Sequence, residues 1–319
     1  MKVSILCPAG SISGGPEAMH QLCGGLRTRG VDAAMVYYGG SGGGRAPCSV
    51  PAEYAYCGVE VRPIAEDGPD QMIVIPEVAT SLAHRFPTAR KAIWWLSVDN
   101  YFKWQHLNPG PSVLDPGADL LHLCQSQYAR DFLSRAGIAA PLMLTDYLTP
   151  GAFALGSPTD RLPLIAYNPK KAPDALHHLI ADRGGRAWIP LEGLDKPALA
   201  DLLREVRVSI DFGPHPGRDR LPREAALCGA VVITGRRGAA AFADDIPLAA
   251  SYRLDEAAPD FHANALGIID RLLGEEDDFL LAWAEQRSYR HWIGRNAAVF
   301  AVELEEFIAA LGQRQRSAA

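Results

Sequence analysis

The sequence predicts an α/β protein made of two parallel, doubly wound sheets. Two observations carry this: short apolar or β-branched runs alternate with amphipathic stretches along the chain, and the alternation restarts after a Pro- and Gly-rich run at 148–162. Size agrees, because 319 residues with 48% hydrophobic and 21% charged side chains are enough for two hydrophobic cores. The expected division is a first domain at 1–156, a second at 157–285 and a C-terminal helix at 286–312.

In the first half, 3–7 reads as a buried strand, 11–15 as a glycine loop and 16–29 as a helix, before 33–38 returns as a strand. Residues 39–44 are nearly all Gly and Ser and read as a connection without regular structure. Runs at 71–76, 92–98 and 120–123 are candidate parallel strands, with helices near 80–85 and 127–136. Past the linker, strands at 164–167, 187–190, 208–212 and 230–234 alternate with helices around 172–182, 196–205 and 223–227. Residues 258–273 continue the series, and 279–311 form a long helical tail interrupted near Arg287 or Gly294. Within the tail, Phe300, Leu304, Phe307 and Leu311 recur at spacings of 4, 3 and 4, an apolar stripe that must pack on something. Residues 313–319 are expected to fray.

Composition narrows the function. A net charge of −6 gives the whole molecule no electrostatic reason to hold nucleic acid. The six cysteines (Cys7, Cys23, Cys48, Cys57, Cys124, Cys228) contain no C-x-x-C pair and several lie in apolar runs, which fits a reducing cytoplasm. The N-terminal run is too short for a signal peptide, and no stretch approaches the roughly 20 apolar residues of a membrane span. The expected location is cytoplasmic, with any membrane contact peripheral, at the inner face.

The most informative stretch runs from Gly213 to Gly235. A strand at 208–212 leads into a loop stiffened by Pro214 and Pro216, and Pro222 suits the first turn of a helix that Gly229 ends. Arg218 and Arg220 therefore arrive just before free helical N–H groups, an arrangement that favours phosphate or diphosphate. Glu224, acceptor-only when ionised, suits ribose or sugar hydroxyls. Lys170 and Lys171 follow a strand and Asn168-Pro169, at a carboxyl end of the second sheet, where ligands of open α/β sheets bind.

The second half resembles the C-terminal domain of GT-B-fold glycosyltransferases, particularly bacterial family 4 enzymes of capsule and O-antigen synthesis. The resemblance rests on Ala166-Tyr-Asn-Pro-Lys-Lys171, Trp188-Ile-Pro-Leu-Glu-Gly193, the 213–224 loop and Glu224-Ala-Ala-Leu-Cys-Gly-Ala-Val-Val-Ile-Thr234. The first half resembles it through Cys7-Pro8, Ser13-Gly-Gly-Pro-Glu-Ala-Met-His20 and Gln125-Ser-Gln-Tyr128. It implies two Rossmann-like lobes facing a cleft, a nucleotide-sugar held by the second, an acceptor by the first, and final helices that cross back to the first. The implied activity is glycosyl transfer to a glycan or lipid-linked acceptor in bacterial surface polysaccharide synthesis, with a UDP- or GDP-linked sugar as substrate and no separate cofactor. A noncatalytic nucleotide-sugar or sugar-binding protein and a GT-B epimerase are the alternatives. Family 4 enzymes often carry two glutamates eight positions apart; Glu224 fits the second, and Pro216 stands at the first.

Transfer from a nucleotide-sugar requires the leaving diphosphate to be stabilised as its charge develops. With no Asp-x-Asp, His-Glu-x-x-His or zinc-spaced cluster, protein cations rather than a metal are expected to do this: Lys170 or Lys171 with Arg218 or Arg220. Gly14 and Gly15 let backbone approach a ligand at a helix N-terminus, and by resemblance face the donor phosphates. Glu17 and His20, on the helix that follows, are candidate acceptor contacts. His215, between two prolines, is a candidate for bonding sugar or phosphate. Asp99, at a strand end in an aromatic segment, is a candidate acceptor base or a helix cap. Trp95, Tyr101, Phe102 and Trp104 read either as core or as a platform for a sugar ring or lipid headgroup.

Overall fold

A computed structural model describes residues 1–39, 49–149, 151, 153–154, 156–182 and 184–316. Most of the glycine-rich connection at 39–44, parts of the 148–162 linker, and residues 317–319 lie outside the described residues. The chain divides into two compact units, Met1–Tyr147 with Ala297–Ala319, and Leu148–Asn296.

The first unit contains β1 (Lys2–Pro8), α1 (Gly14–Thr28), β2 (Asp32–Tyr38), β3 (Gln71–Pro76), β4 (Arg90–Trp95), α2 (Val98–Trp104), β5 (Leu120–Cys124), α3 (Gln127–Arg135) and the short β6 (Leu142–Met143). Its sheet has the order β2-β1-β3-β4-β5-β6, and every pairing is parallel. Strand side chains alternate between faces. Val3, Ile5 and Cys7 therefore join one core with α1, while Leu6, Ile73, Ile75 and Ile93 join the other. The helix expected near 80–85 is a 3-10 run, Glu77–Arg85, broken at Ala79, whose φ of −134° is not helical.

The second unit contains β7 (Leu162–Tyr167), α4 (Asp174–Ala181), β8 (Ala187–Pro190), α5 (Lys196–Glu205), β9 (Val206–Asp211), α6 (Arg220–Leu227), β10 (Val231–Thr234), α7 (Phe261–Leu273), α8 (Glu276–Glu285) and the start of α9 (Arg287–Arg316). Its sheet, β10-β9-β7-β8, is also parallel. The tail is interrupted at Gln286, and α9 runs straight through Gly294 and onward to Arg316, through residues expected to fray. No described helix is long and apolar enough to cross a membrane.

Both sheets reverse their winding beside the first strand. The chain crosses from β1 to β2 on one side and later places β3 on the other; β7, β8 and β9 repeat the pattern. The carboxyl ends of β1 and β3, and of β7 and β9, are thus topological switch points, where open α/β sheets bind ligands.

The apolar stripe of α9 packs on the first unit, as expected. Phe300, Leu304, Phe307 and Leu311 are buried in the core shared by β1, α1 and β3. Polar bonds fix the register: Thr145 donates from its N–H and its Oγ1 to Glu303 Oε2, both at 2.7 Å, and Arg90 Nη1 donates to the Leu311 carbonyl at 2.8 Å. Gly25 makes the approach feasible, since a Cβ there would lie 2.7 Å from Leu304 Cδ2. Gly25→Val is expected to cost about 1–3 kcal/mol by overpacking, read as a lower urea midpoint at unchanged slope; an unchanged midpoint would show that the tail gives way freely.

Candidate functional site

The switch point of the second sheet gathers most of the predicted site. At the end of β7, Asn168 accepts the Lys170 N–H through its side chain at 3.1 Å, which turns the chain into the 3-10 segment Pro169–Lys171. At the end of β9, Gly213 allows the two loops to touch: a Cβ there would lie 2.4 Å from Lys171 Cβ. Pro214 and Pro216 then hold His215 inward, fully buried. Its Nε2 donates to the Asp211 carbonyl at 3.2 Å, and its Nδ1 faces Asp219 Oδ2 at 3.1 Å. Gly238, at φ +61°, meets His215 from the far side, where a Cβ would fall 2.1 Å from the His215 carbonyl oxygen. Lys171 Nζ closes the row with an ion pair to Asp219.

The result is a row of charges, Lys171–Asp219–His215–Asp211, buried at His215 and Asp211 and partly exposed at Lys171 and Asp219. Both imidazole nitrogens face oxygen acceptors, so the ring is best satisfied as the doubly protonated cation. Burial alone lowers the His215 pKa, but the contact with Asp219 and the charge of Asp211 outweigh it and leave it raised. Burial likewise opposes ionisation of Asp219; His215 and Lys171 prevail and hold its pKa below the ordinary value. Asp211 differs, because burial dominates there and raises its pKa despite His215 and Lys171. Asp211, His215 and Asp219 each offer a ligand atom within 4.8 Å of the others. Lys171 already brings a positive charge to these carboxylates.

The remaining predicted cations are largely engaged. Arg218 donates from Nε to Asp245 at 3.1 Å and lies over the Trp292 ring at 4.9 Å. Arg220 Nε lies 3.6 Å from Glu224, an i, i+4 pair in the first turns of α6. Lys170 is exposed and has no acidic partner among the described residues. The expected cluster of free cations is therefore one exposed lysine above a set of internally neutralised pairs. Sequence reasoning missed the carboxylates because Asp211, Asp219 and Asp245 carry no motif; the signal that existed was Asp219 lying between the two arginines.

At the first sheet's switch point, Gly14 and Gly15 begin α1. Tyr54, from the 3-10 segment Ala52–Cys57, pins the loop before them: its hydroxyl accepts the Ser13 N–H at 2.9 Å and donates to the Ser13 carbonyl at 3.1 Å. His20 is fully buried, with Nδ1 2.6 Å from the Pro16 carbonyl, Nε2 2.7 Å from Tyr37 Oη, and its ring against Tyr54. Burial lowers its pKa, so it is a neutral packing group rather than an acceptor contact. Glu17 is also buried, and accepts the Tyr56 hydroxyl at 2.9 Å. Asp99 is half-buried and accepts the Tyr128 hydroxyl at 2.8 Å. Ser97, not Asp99, caps α2, by accepting the Asn100 N–H. The aromatic run divides, with Trp95 and Tyr101 in the core and Phe102 and Trp104 exposed, Lys103 lying over the Trp104 ring.

No protein-family model and no curated protein sequence matches the chain. Solved structures do. Anabaena HepE in complex with UDP-glucose superposes with a TM-score of 0.67 at 11% identity, over 97% of this chain and 100% of that one. The fold is GT-B. A glycosyltransferase from Rickettsia africae matches at 0.63 and 12% identity, over 97% of both chains. Sucrose-phosphate synthase from Thermosynechococcus elongatus gives 0.64 and 12%, over 97% of this chain and 98% of its own. The two units described above are the two Rossmann-like domains of the GT-B fold.

Proposed function

We propose that the protein is a glycosyltransferase that moves a sugar from a nucleotide-sugar, UDP- or GDP-linked, to a hydroxyl of a glycan or lipid-linked acceptor. The observation that carries this reading is the second sheet's switch point. There Lys170, the Lys171–Asp219–His215 row and the N-terminal turn of α6 with Arg218, Arg220 and Glu224 follow the ends of two adjoining strands. Helical N–H groups and lysine suit a diphosphate, and Glu224 suits ribose hydroxyls. A role in bacterial surface polysaccharide synthesis agrees with the exposed Phe102, Trp104 and Leu107, which suit peripheral contact at the inner face of a membrane. Because Lys171 supplies the charge at the acidic cluster, the reaction is metal-independent in this reading.

A thermal-shift screen of UDP-, GDP-, CMP- and TDP-sugars identifies the donor through ligand-linked stabilisation. Lys170→Ala is expected to weaken donor binding about 10- to 100-fold, the loss of one charge-assisted phosphate contact, with melting temperature unchanged. Nucleotide release that depends on acceptor and persists in excess chelator is the companion result. Binding without release would favour the noncatalytic protein, conversion of the donor without acceptor would favour the epimerase, and restoration by magnesium or manganese after chelation would remove the built-in cation.

A further inference from the structure

Asp219 stands at the N-cap of α6, where aspartate ordinarily accepts an N–H of the first turn, yet its side chain caps nothing there. Asp195, at the same position of α5, does cap, accepting the Ala198 N–H at 2.9 Å. Two features account for the difference. Pro222 removes the N–H at the position that corresponds to Ala198, so Leu221 carries the cap bond still open to Asp219. The carboxylate is also turned the other way, paired with Lys171 and 3.1 Å from His215 Nδ1. His215 itself is out of a ligand's reach: it is fully buried, and its Nε2 donates to the Asp211 carbonyl at 3.2 Å. The ring thus ties the end of β9, through Asp211, to the start of α6, through Asp219.

We propose, on the transferase reading above, that His215 is a positioning residue for the donor: with Lys171 it holds Asp219 inward, so that the first-turn N–H groups of α6 stay open to the diphosphate of a nucleotide-sugar and are not covered by a carboxylate.

One proton carries the hold. The doubly protonated ring offers an N–H to each oxygen, whereas the neutral ring has one N–H for two, so either Asp211 or Asp219 loses its donor. Asp219 is then held inward less firmly, and the Leu221 N–H, at the positive end of the helix dipole, competes for it. A carboxylate seated there repels a phosphate that would take the same N–H groups. Burial opposes the charged ring, as does Lys171, but Asp219 and Asp211 outweigh both and raise its pKa. From the loops after β10, Glu256, paired with Arg237 at 2.6 Å, lies within range of the His215 charge. Arg223 on α6 donates to the Asp219 carbonyl at 3.1 Å, and Tyr289 on α9, kept neutral by burial, lies within range of Asp211 and Asp219.

Donor titration from pH 6 to 9 tests this, with UDP-glucose or GDP-glucose, whichever stabilises the protein; the diphosphate of either keeps one charge over that range. In the unaltered protein, affinity is expected to be highest at pH 6 and to fall about 10-fold as the pH climbs through the His215 pKa, the loss of one charge-assisted contact. His215→Gln should show the weak affinity already at pH 6, with the slope gone, which also separates His215 from Asp211, whose pKa burial raises. A role in stability alone would lower the variant's urea midpoint and leave the donor profile of the unaltered protein flat. That flat profile overturns the proposal, even if the variant does not fold, and so does an unchanged slope in the variant. The Leu221 amide resonance gives a reading without donor: it should move between pH 6 and 9 in the unaltered protein and stay still in His215→Gln. If neither nucleotide-sugar binds at any pH, the transferase reading has failed; a Leu221 amide that still moves upholds the His215 hold on Asp219, and a stationary one removes it.

Discussion

Asp219→Ala is expected to destabilise the second unit by about 3 kcal/mol and to abolish donor binding. Removing one partner of a buried ion pair leaves the other charge without compensation, which costs about 3–5 kcal/mol. Here two cations are stranded together, Lys171 and the His215 imidazolium. The lower end of the range applies because the Asp219 side chain keeps 19% of its surface in water. Lys171 then loses the anchor that sets its position, and the 213–219 loop loses the contact that turns it inward. Urea unfolding measures the first effect and donor titration the second. A variant that binds donor as before would place the diphosphate away from this row.

The same row makes stability depend on pH. The His215 pKa is raised in the folded protein, so its contribution is fully present below the ordinary imidazole value of 6.5 and is lost as the pH climbs through the raised one. Asp219 acts in the opposite sense: its depressed pKa gives stability above the ordinary 3.8 that is lost as the pH falls through the lower folded value. Urea midpoints measured from pH 6 to 9 should therefore decline on the alkaline side more steeply than those of His215→Gln.

Ending the chain after Asn296 is expected to unfold the first unit and spare the second. Phe300, Leu304, Phe307 and Leu311 are all buried, and at about 2–3 kcal/mol for each side chain their loss totals about 8–12 kcal/mol, comparable to the whole stability of an ordinary domain at about 5–15. Thr145 and Arg90 would lose their partners on the tail as well. A cut before Tyr289 does not discriminate, because Tyr289 and Ile293 belong to the core of the second unit. Hydrogen exchange reads the outcome directly: protection should vanish at 3–7, 72–74 and 92–94 and persist at 206–211 and 231–234. Loss confined to the second set would assign the tail to the wrong unit.

Much of the fold was legible because burial on both faces writes itself into composition. Residues 72–76 and 230–233 are continuous apolar runs of strand length, and punctuation by Pro222 and Gly229 placed α6 to within a few residues. Helix periodicity likewise identified the stripe of α9, but the surface it covers came from the resemblance and not from the periodicity. The 3-10 segment at Glu77–Arg85 was not legible as such, since its residues fit a helical pattern and the break at Ala79 is imposed by packing.

The candidate site divides differently. Local sequence alone located the strand-end loops, the basic residues and the helix start, because those depend on proline, glycine and charge within a few positions of one another. Whether a given charge is available depends on partners far along the chain: Lys171 meets Asp219, Arg218 meets Asp245, and Glu77 meets only the backbone beyond β4. Those pairings, and the proton affinities that follow from them, are set by which loops each parallel sheet brings to its own carboxyl edge. The sequence by itself determined where an anion site was to be sought. Only the tertiary structure decided which of its charges are spent on one another, because desolvation and charge pairing act through space rather than along the chain.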